Sequence, residues 1–282
     1  MSTKQHSSPV NLVECFISLP DPRVERTRAH KLIDIMVIGF CATLAGGEGL
    51  NDMELFGRQK EQWLRTFLEL PNGIPTHDTF NRVFQAIDPE AFMECFVRWT
   101  QGLRARVSGE IVAVDGKALR RALDKGRKDA LPYIVSAWAS DNGLVLGQVK
   151  VEEKSNEITA IPKILRALEL SGCIVTIDAM GCQKKIAREI IEADADYVLA
   201  LKGNHETVHE EVKSCLDALI AQRQSNPPAF PELDYYETIE KDHGRIETRR
   251  FWQSTETGWF ADCKQWEGLA SFGAVESVRD IN

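Results

Sequence analysis

From residue 110 onward the chain switches repeatedly between short runs of β-branched residues and longer amphipathic stretches. That alternation limits the fold more than any other feature. Glu-Ile-Val-Ala-Val-Asp at 110–115 is bounded by Gly109 and Gly116. Two further strand-like runs, 133–139 and 144–149, are joined by Ser-Asp-Asn-Gly at 140–143, whose Asn-Gly pair marks a hairpin. A helix is expected over 157–170, with Asn156 as its cap and Pro162 near enough to the start to be tolerated. Then come a strand at 173–178, a helix at 183–193, a strand at 196–201 and a helix at 206–222. The order β-β-β-α-β-α-β-α predicts an α/β unit in which an antiparallel hairpin is extended by βαβ crossovers into a mixed sheet. From about 226 the chain is Pro-rich, then strand-like around 246–253. Residues 273–282 read as a strand with no helix after it.

The first hundred residues carry a different period. Residues 31–45 are apolar almost all round, as a buried helix requires, and stop at Gly46-Gly47. An amphipathic helix is expected over 51–70, broken by Pro-Asn-Gly-Ile-Pro at 71–75. Thr76 then caps a helix through Phe80, Val83, Phe84 and Ile87, and Asp88-Pro89 restarts a helix to about 104. The second and third of these have the outline of a helix-turn-helix, with His77, Asp78, Asn81 and Arg82 on the polar face of its second helix. A plain helical bundle buttressing the core is the competing reading. A length of 282 residues suits two domains, expected at 1–107 (helical) and 108–282 (α/β).

Composition excludes several classes. With 43% hydrophobic and 27% charged residues, the chain is neither disordered nor collagen-like. The longest apolar run, 35–45, falls well short of the ~20 residues that span a bilayer. No secretory signal opens the sequence, and the 7 cysteines include no Cys-x-x-Cys pair, so reduced thiols in a cytoplasmic protein are expected. The net charge of −8 argues against nucleic acid as partner, but it hides two basic stretches, 117–128 and 23–31.

Two carboxylates stand out by position. Asp115 closes the first apolar strand and Asp178 closes Ile-Val-Thr-Ile-Asp at 174–178. A carboxylate ending a Val/Ile strand is costly without a partner. If the two strands are neighbours, the pair converges at hard-cation spacing, which suits Mg²⁺. The plain alternative is that each Asp only begins a turn. His205-Glu206-x-x-His209 matches the helical zinc signature, with Glu206 as general base. Its context is poor: it opens a helix directly after Asn204, the expected cap, and Cys215 stands where the long form wants a third His. No phosphate-binding loop, dinucleotide fingerprint or nucleophile elbow occurs.

Six motifs, in order, carry a resemblance: Ala-Val-Asp-Gly-Lys at 113–117, Asn-Gly-Leu-Val-Leu-Gly-Gln-Val at 142–149, Lys-Ser-Asn-Glu-Ile-Thr-Ala-Ile-Pro at 154–162, Thr-Ile-Asp-Ala-Met-Gly-Cys-Gln at 176–183, Leu-Lys-Gly-Asn at 201–204 and His-Gly-Arg-Ile-Glu-Thr-Arg-Arg at 243–250. Together they resemble bacterial insertion-sequence transposases of the H-repeat-associated branch. Asp21-Pro-Arg23, the 32–47 block and the 73–80 segment resemble that family's associated amino-terminal domain.

The resemblance implies an RNase H-like core of the DDE type, flanked by helices and carrying a β-rich insertion from about 226. Asp115 and Asp178 would be the first two metal-binding carboxylates. Two Mg²⁺ ions (Mn²⁺ as substitute) would activate water to cut transposon ends, then the freed 3′-hydroxyl to attack target DNA. Lys117, Arg120, Arg121 and Lys202 would contact DNA beside the site, with His77, Asn81 and Arg82 at the amino-terminal domain, and a homo-oligomer would assemble on DNA. The family's third carboxylate, a glutamate in a later helix, has no match here. Glu247 and Glu276 lie in strand-like runs, so neither is assigned that role. The chain is therefore expected to be a truncated and inactive transposase. A non-catalytic DNA-binding remnant and, more remotely, a zinc hydrolase through His205 and His209 are the alternatives.

Overall fold

A computed structural model describes residues 11–104, 109–118, 133–151, 157–225, 233–242 and 245–281. The chain divides into two compact units. One is Met1–Arg106 with Ser136–Val149 and Ala167–Glu169; the other is Val107–Val135 with Lys150–Arg166 and Leu170–Asn282.

The amino-terminal helices are α1 (Leu12–Phe16), α2 (Leu32–Leu44), α3 (Leu50–Leu64), α4 (His77–Ala86) and α5 (Pro89–Leu103). The all-round apolar character of 31–45 has its expected result: Ile35, Met36, Val37, Ile38 and Ala42 are buried, and α2 runs through the core. Phe16 and Phe40 meet at 4.9 Å between ring centroids, and Phe40 and Trp99 at 5.4 Å. Burying each large apolar side chain contributes about 1.5–3 kcal/mol, and such aromatic pairs add about 0.5–1.5 kcal/mol. Asp88 caps α5 by accepting from the N–H groups of Glu90 and Ala91 at 2.8 and 3.0 Å, with Pro89 just inside the helix.

Two expectations change here. Helix α3 stops at Leu64, short of 70, because Leu68 and Leu70 turn inward and are buried. The connector 65–76 is then far longer than the 3–4 residues of a helix-turn-helix, so that outline does not hold for α3 and α4. Thr76 occupies the cap position of α4, but its hydroxyl makes no cap bond; Glu54 takes the first N–H instead. The basic stretch 23–31 is largely committed within its own unit. Arg23 grips Asp21 with Nε and Nη2 at 2.9 and 2.8 Å and donates to the His30 carbonyl, while Lys31 pairs with Glu69. Burial alone pushes the Asp21 carboxyl up, but these hydrogen bonds outweigh it and leave its pKa below the ordinary value.

The strands are β1 (Ile111–Ala118), β2 (Tyr133–Ala139), β3 (Leu144–Val151), β4 (Ile174–Ile177) and β5 (Asp196–Leu199), interleaved with α6 (Glu157–Ala167), α7 (Lys184–Glu192) and α8 (Glu206–Ser225). They form one five-stranded sheet, order β3-β2-β1-β4-β5. Strands β1, β4 and β5 pair in parallel. The β2–β3 link through Ser140–Gly143 is too short for a parallel crossover, so that pair is antiparallel and the sheet is mixed. Gly143 takes φ +63°, the left-handed geometry an Asn-Gly turn needs. The mixed α/β architecture preceded by helices is the one the sequence predicts. Past α8, strands β6 (Leu233–Asp242), β7 (Arg245–Ser254) and β8 (Phe272–Ile281) form a separate antiparallel sheet. One end of it packs on α8 through Leu233, Trp252, Phe272, Val212 and Leu216.

Candidate active site

Strand register brings the two aspartates together. The parallel ladder pairs Ile111 with Ile174 and ends at Val114 with Ile177. Asp115 and Asp178 are the next residue on each strand, and Asp178 is still extended at φ −68°, ψ 178°. Residues in register on neighbouring parallel strands project to one face from backbones about 4.8 Å apart. Both side chains are exposed, and both line one cleft of about 1160 Å³. The sequence places Asp115 at the strand's end, whereas β1 continues to Ala118; only its apolar half stops at Val114.

Each carboxylate retains donor capacity. Asp178 Oδ1 accepts the Met180 N–H at 3.1 Å, capping the short 3₁₀ turn Ala179–Gly181. The turn-starting role is therefore real, but it engages one oxygen of two. Asp115 makes no side-chain hydrogen bond or ion pair among the described residues. Hard oxygen donors on adjacent strands, open to one cleft, fit a divalent cation. Among the described residues, no group of three His, Cys, Asp or Glu side chains converges to hold a metal. Asp217 and Asp234 also line the cleft but do not complete such a group.

The other carboxylates and the zinc motif lie elsewhere. Glu247 is held by Arg249 at 3.1 Å and Arg279 at 3.2 Å, and Glu276 by Arg250 at 2.9 Å. Glu206 opens α8, but His205 belongs to the preceding 3₁₀ turn Gly203–His205, outside the helical spacing the zinc signature needs. Its Nε2 meets the Gln183 side-chain amide at 3.3 Å, and its ring stands edge-on to Trp266. Asn204 is not the expected cap; its amide donates to the Ala179 carbonyl at 2.7 Å, tying this turn to the one after Asp178. His209 lines the cleft instead.

Lys202 lines the same cleft and is exposed. Lys117 is exposed on β1, two residues past Asp115; Arg120 and Arg121 lie outside the described residues. His77, Asn81 and Arg82 are exposed on α4, where His77 is bound to Glu54, Asn81 accepts from Gln85, and Arg82 donates to the Asp78 carbonyl. Among the cleft-lining residues, burial pushes the Cys182 thiol up to about 11, which keeps it protonated at neutral pH. Burial, with Cys182 and Cys263 nearby, pushes the Tyr197 hydroxyl up to about 12.

Two family descriptions match the chain. Residues 107–263 match the transposase DDE domain, and residues 13–100 match the DDE_Tnp_1-associated domain. The chain belongs to the DDE transposase family of insertion sequences. Its relatives include the "Uncharacterized protein in dhlA 3'region" of Xanthobacter autotrophicus, 45% identical over 95% of this chain and 88% of that protein. The "Putative transposase YncI" of Escherichia coli O157:H7 is 40% identical over 95% of this chain and 67% of that protein. The "H repeat-associated putative transposase YhhI" of Escherichia coli K12 is 38% identical over 96% and 70%. Among the described residues no helix is long and apolar enough to cross a membrane.

Sequence reasoning missed the part of this transposase cleft that α8 supplies. His209, Lys213 and Asp217 recur every four residues and line it together. The spacing is visible in the sequence, but which face meets the cleft is not. Asp234, brought in by the second sheet, has no sequence signal at all.

Proposed function

We propose that this cleft is the catalytic centre for metal-dependent cleavage and joining of DNA at insertion-sequence ends. The observation that carries it is the in-register placement of Asp115, within β1, beside Asp178, just past β4, both open to one cleft. The two carboxylates would hold the cation, Mg²⁺ with Mn²⁺ as substitute. When bound, the metal supplies charge neutralisation at the phosphate and a lowered pKa for the attacking hydroxyl. The chain's own work is positioning. Asp178 is fixed by its cap bond to Met180, and Lys117, Arg120, Arg121 and Lys202 draw DNA phosphates toward the pair without reading sequence. The helical segment 1–107 recognises transposon ends through His77, Asn81 and Arg82, and the protein works as a homo-oligomer on DNA. Titration calorimetry with Mn²⁺ tests the centre. Asp115→Asn and Asp178→Asn should each weaken binding severely; wild-type binding by both variants would sink the reading.

A second reading has its own observation. Among the described residues only two carboxylates meet, and Glu247 and Glu276 are committed to arginines. That favours a non-catalytic DNA-binding role, in which the chain occupies transposon ends and interferes with an active transposase. End cleavage by the full chain separates the two readings.

A further inference from the structure

The α8 wall of the cleft carries a charge pattern that the metal reading does not use. Lys213 sits one helical turn beyond His209 and one before Asp217, about 6 Å apart along the axis at each step, and all three line the cavity that Asp115 and Asp178 share. Lys202, three residues past the carboxyl end of β5, lines it too. Six described cations elsewhere in this unit are already paired. Arg249, Arg250 and Arg279 hold carboxylates across the second sheet; Lys184 pairs with Asp262 at 2.7 Å, Arg188 with Glu267 and Arg166 with Glu189. Lys202 and Lys213, both exposed, have no ion pair among the described residues. Among the described cleft-lining side chains they are the only lysines or arginines, against four aspartates.

We infer that Lys202 and Lys213 form a strand-holding wall. They grip backbone phosphates of one DNA strand along α8, so that the neighbouring phosphate lies against Asp115 and Asp178. The inference rests on the proposed catalytic centre and adds Lys213, which with Lys202 seats one strand along α8. The physical reason is electrostatic: a polyanion entering a cleft lined by Asp115, Asp178, Asp217 and Asp234 meets repulsion unless fixed cations offset it. An unpaired lysine does so at little desolvation cost to a protein partner. Asp217 limits how far the favourable stretch of wall extends. His209, singled out by sequence as a zinc ligand, lies between these lysines in chain order and on the same cleft.

The wall acts without metal, and that separates it experimentally from the aspartates. Fluorescence anisotropy of a labelled 20-nucleotide oligothymidylate, in EDTA across a salt series, should show the full chain binding with a log–log slope set by the phosphates it contacts. Lys202→Ala and Lys213→Ala should each reduce that slope by about 0.7, the counterion release of one single-strand phosphate contact, and the double variant by about twice that. Lys213→Arg should restore it, which a purely structural lysine would not require. Unchanged slopes in both alanine variants, with the thermal melt intact, overturn the inference while leaving the metal centre to its own test. Flattened slopes beside wild-type Mn²⁺ binding by the aspartate variants would do the reverse.

Discussion

Asp34 and Leu70 are bonded through the interior of the helical unit: Asp34 Oδ2 accepts the Leu70 N–H at 3.2 Å, with Asp34 only 2% exposed. Leu70 takes φ 44°, a left-handed conformation that costs an L-residue about 1–2 kcal/mol. The strain and the buried carboxylate support each other. The turn aims the N–H inward, and that bond offsets part of the cost of placing a carboxyl in the core.

Burial pushes the Asp34 pKa up, more than the Leu70 N–H and Lys31 pull it down. A carboxyl raised in the folded state favours stability most below its unfolded value of 3.8, and this contribution is lost as pH rises through the folded value. Asp34→Asn, which keeps the acceptor and removes the charge, should therefore match or exceed wild-type stability at pH 7. Asp34→Ala should lose about 1–3 kcal/mol by orphaning the Leu70 N–H. Denaturant unfolding at pH 4 and pH 7 checks both. A large loss in the Asn variant at pH 7 would refute the argument.

Glu54 secures α4 from outside the helix. Its Oε2 accepts from His77 N and Nδ1 at 2.7 and 2.8 Å, while Oε1 takes Arg58. Those bonds, His77 first, hold its pKa at about 2 instead of 4.5. A depressed carboxyl contributes its stability above pH 4.5 and loses it as pH falls toward 2. The melting-temperature gap between wild type and Glu54→Gln should be widest near neutrality and close toward pH 2. A gap independent of pH would mean that the contact is incidental.

Gly181 ends the 3₁₀ turn that Asp178 caps, and a β-carbon there would collide with Cγ2 of Ile177 and press on Ile161. Gly181→Ala should cost about 1–3 kcal/mol by overpacking. It should also weaken Mn²⁺ binding, because Asp178 is anchored through that turn. Normal metal affinity in a destabilised variant would show that the turn does not position the carboxylate.

A two-metal centre needs ligands enough to keep both ions about 4 Å apart, and the described residues bring two carboxylates together. On a labelled transposon end with Mg²⁺ or Mn²⁺, Asp115→Asn and Asp178→Asn should each abolish the cleavage made by the full chain while leaving DNA binding in EDTA unchanged. Cleavage that survives both substitutions would refute the assignment, and Glu247 and Glu276 are poor substitutes while their arginines hold them.

Much of this protein was legible in the residues themselves. Period and punctuation located the strands and helices of the α/β unit in order, because burial of a Val/Ile run or of one helix face leaves its mark in local sequence. The motifs pointed to the family, and the resemblance nominated Asp115 and Asp178 as its first two carboxylates. Boundaries moved where distant groups intervened. Helix α3 ends early because Leu68 and Leu70 are drawn into the core and Asp34, 36 residues away, takes an N–H; Asn204 falls inside the 3₁₀ turn Gly203–His205 that precedes α8, where its amide reaches the Ala179 carbonyl. Only the tertiary structure decided that β1 and β4 are in-register neighbours, that Lys213 and Asp234 share a cleft with the aspartates, and that Glu247 and Glu276 are tied to arginines. Adjacency between strands and the choice of partner for each charge depend on contacts between residues far apart in the chain, and no local pattern records them.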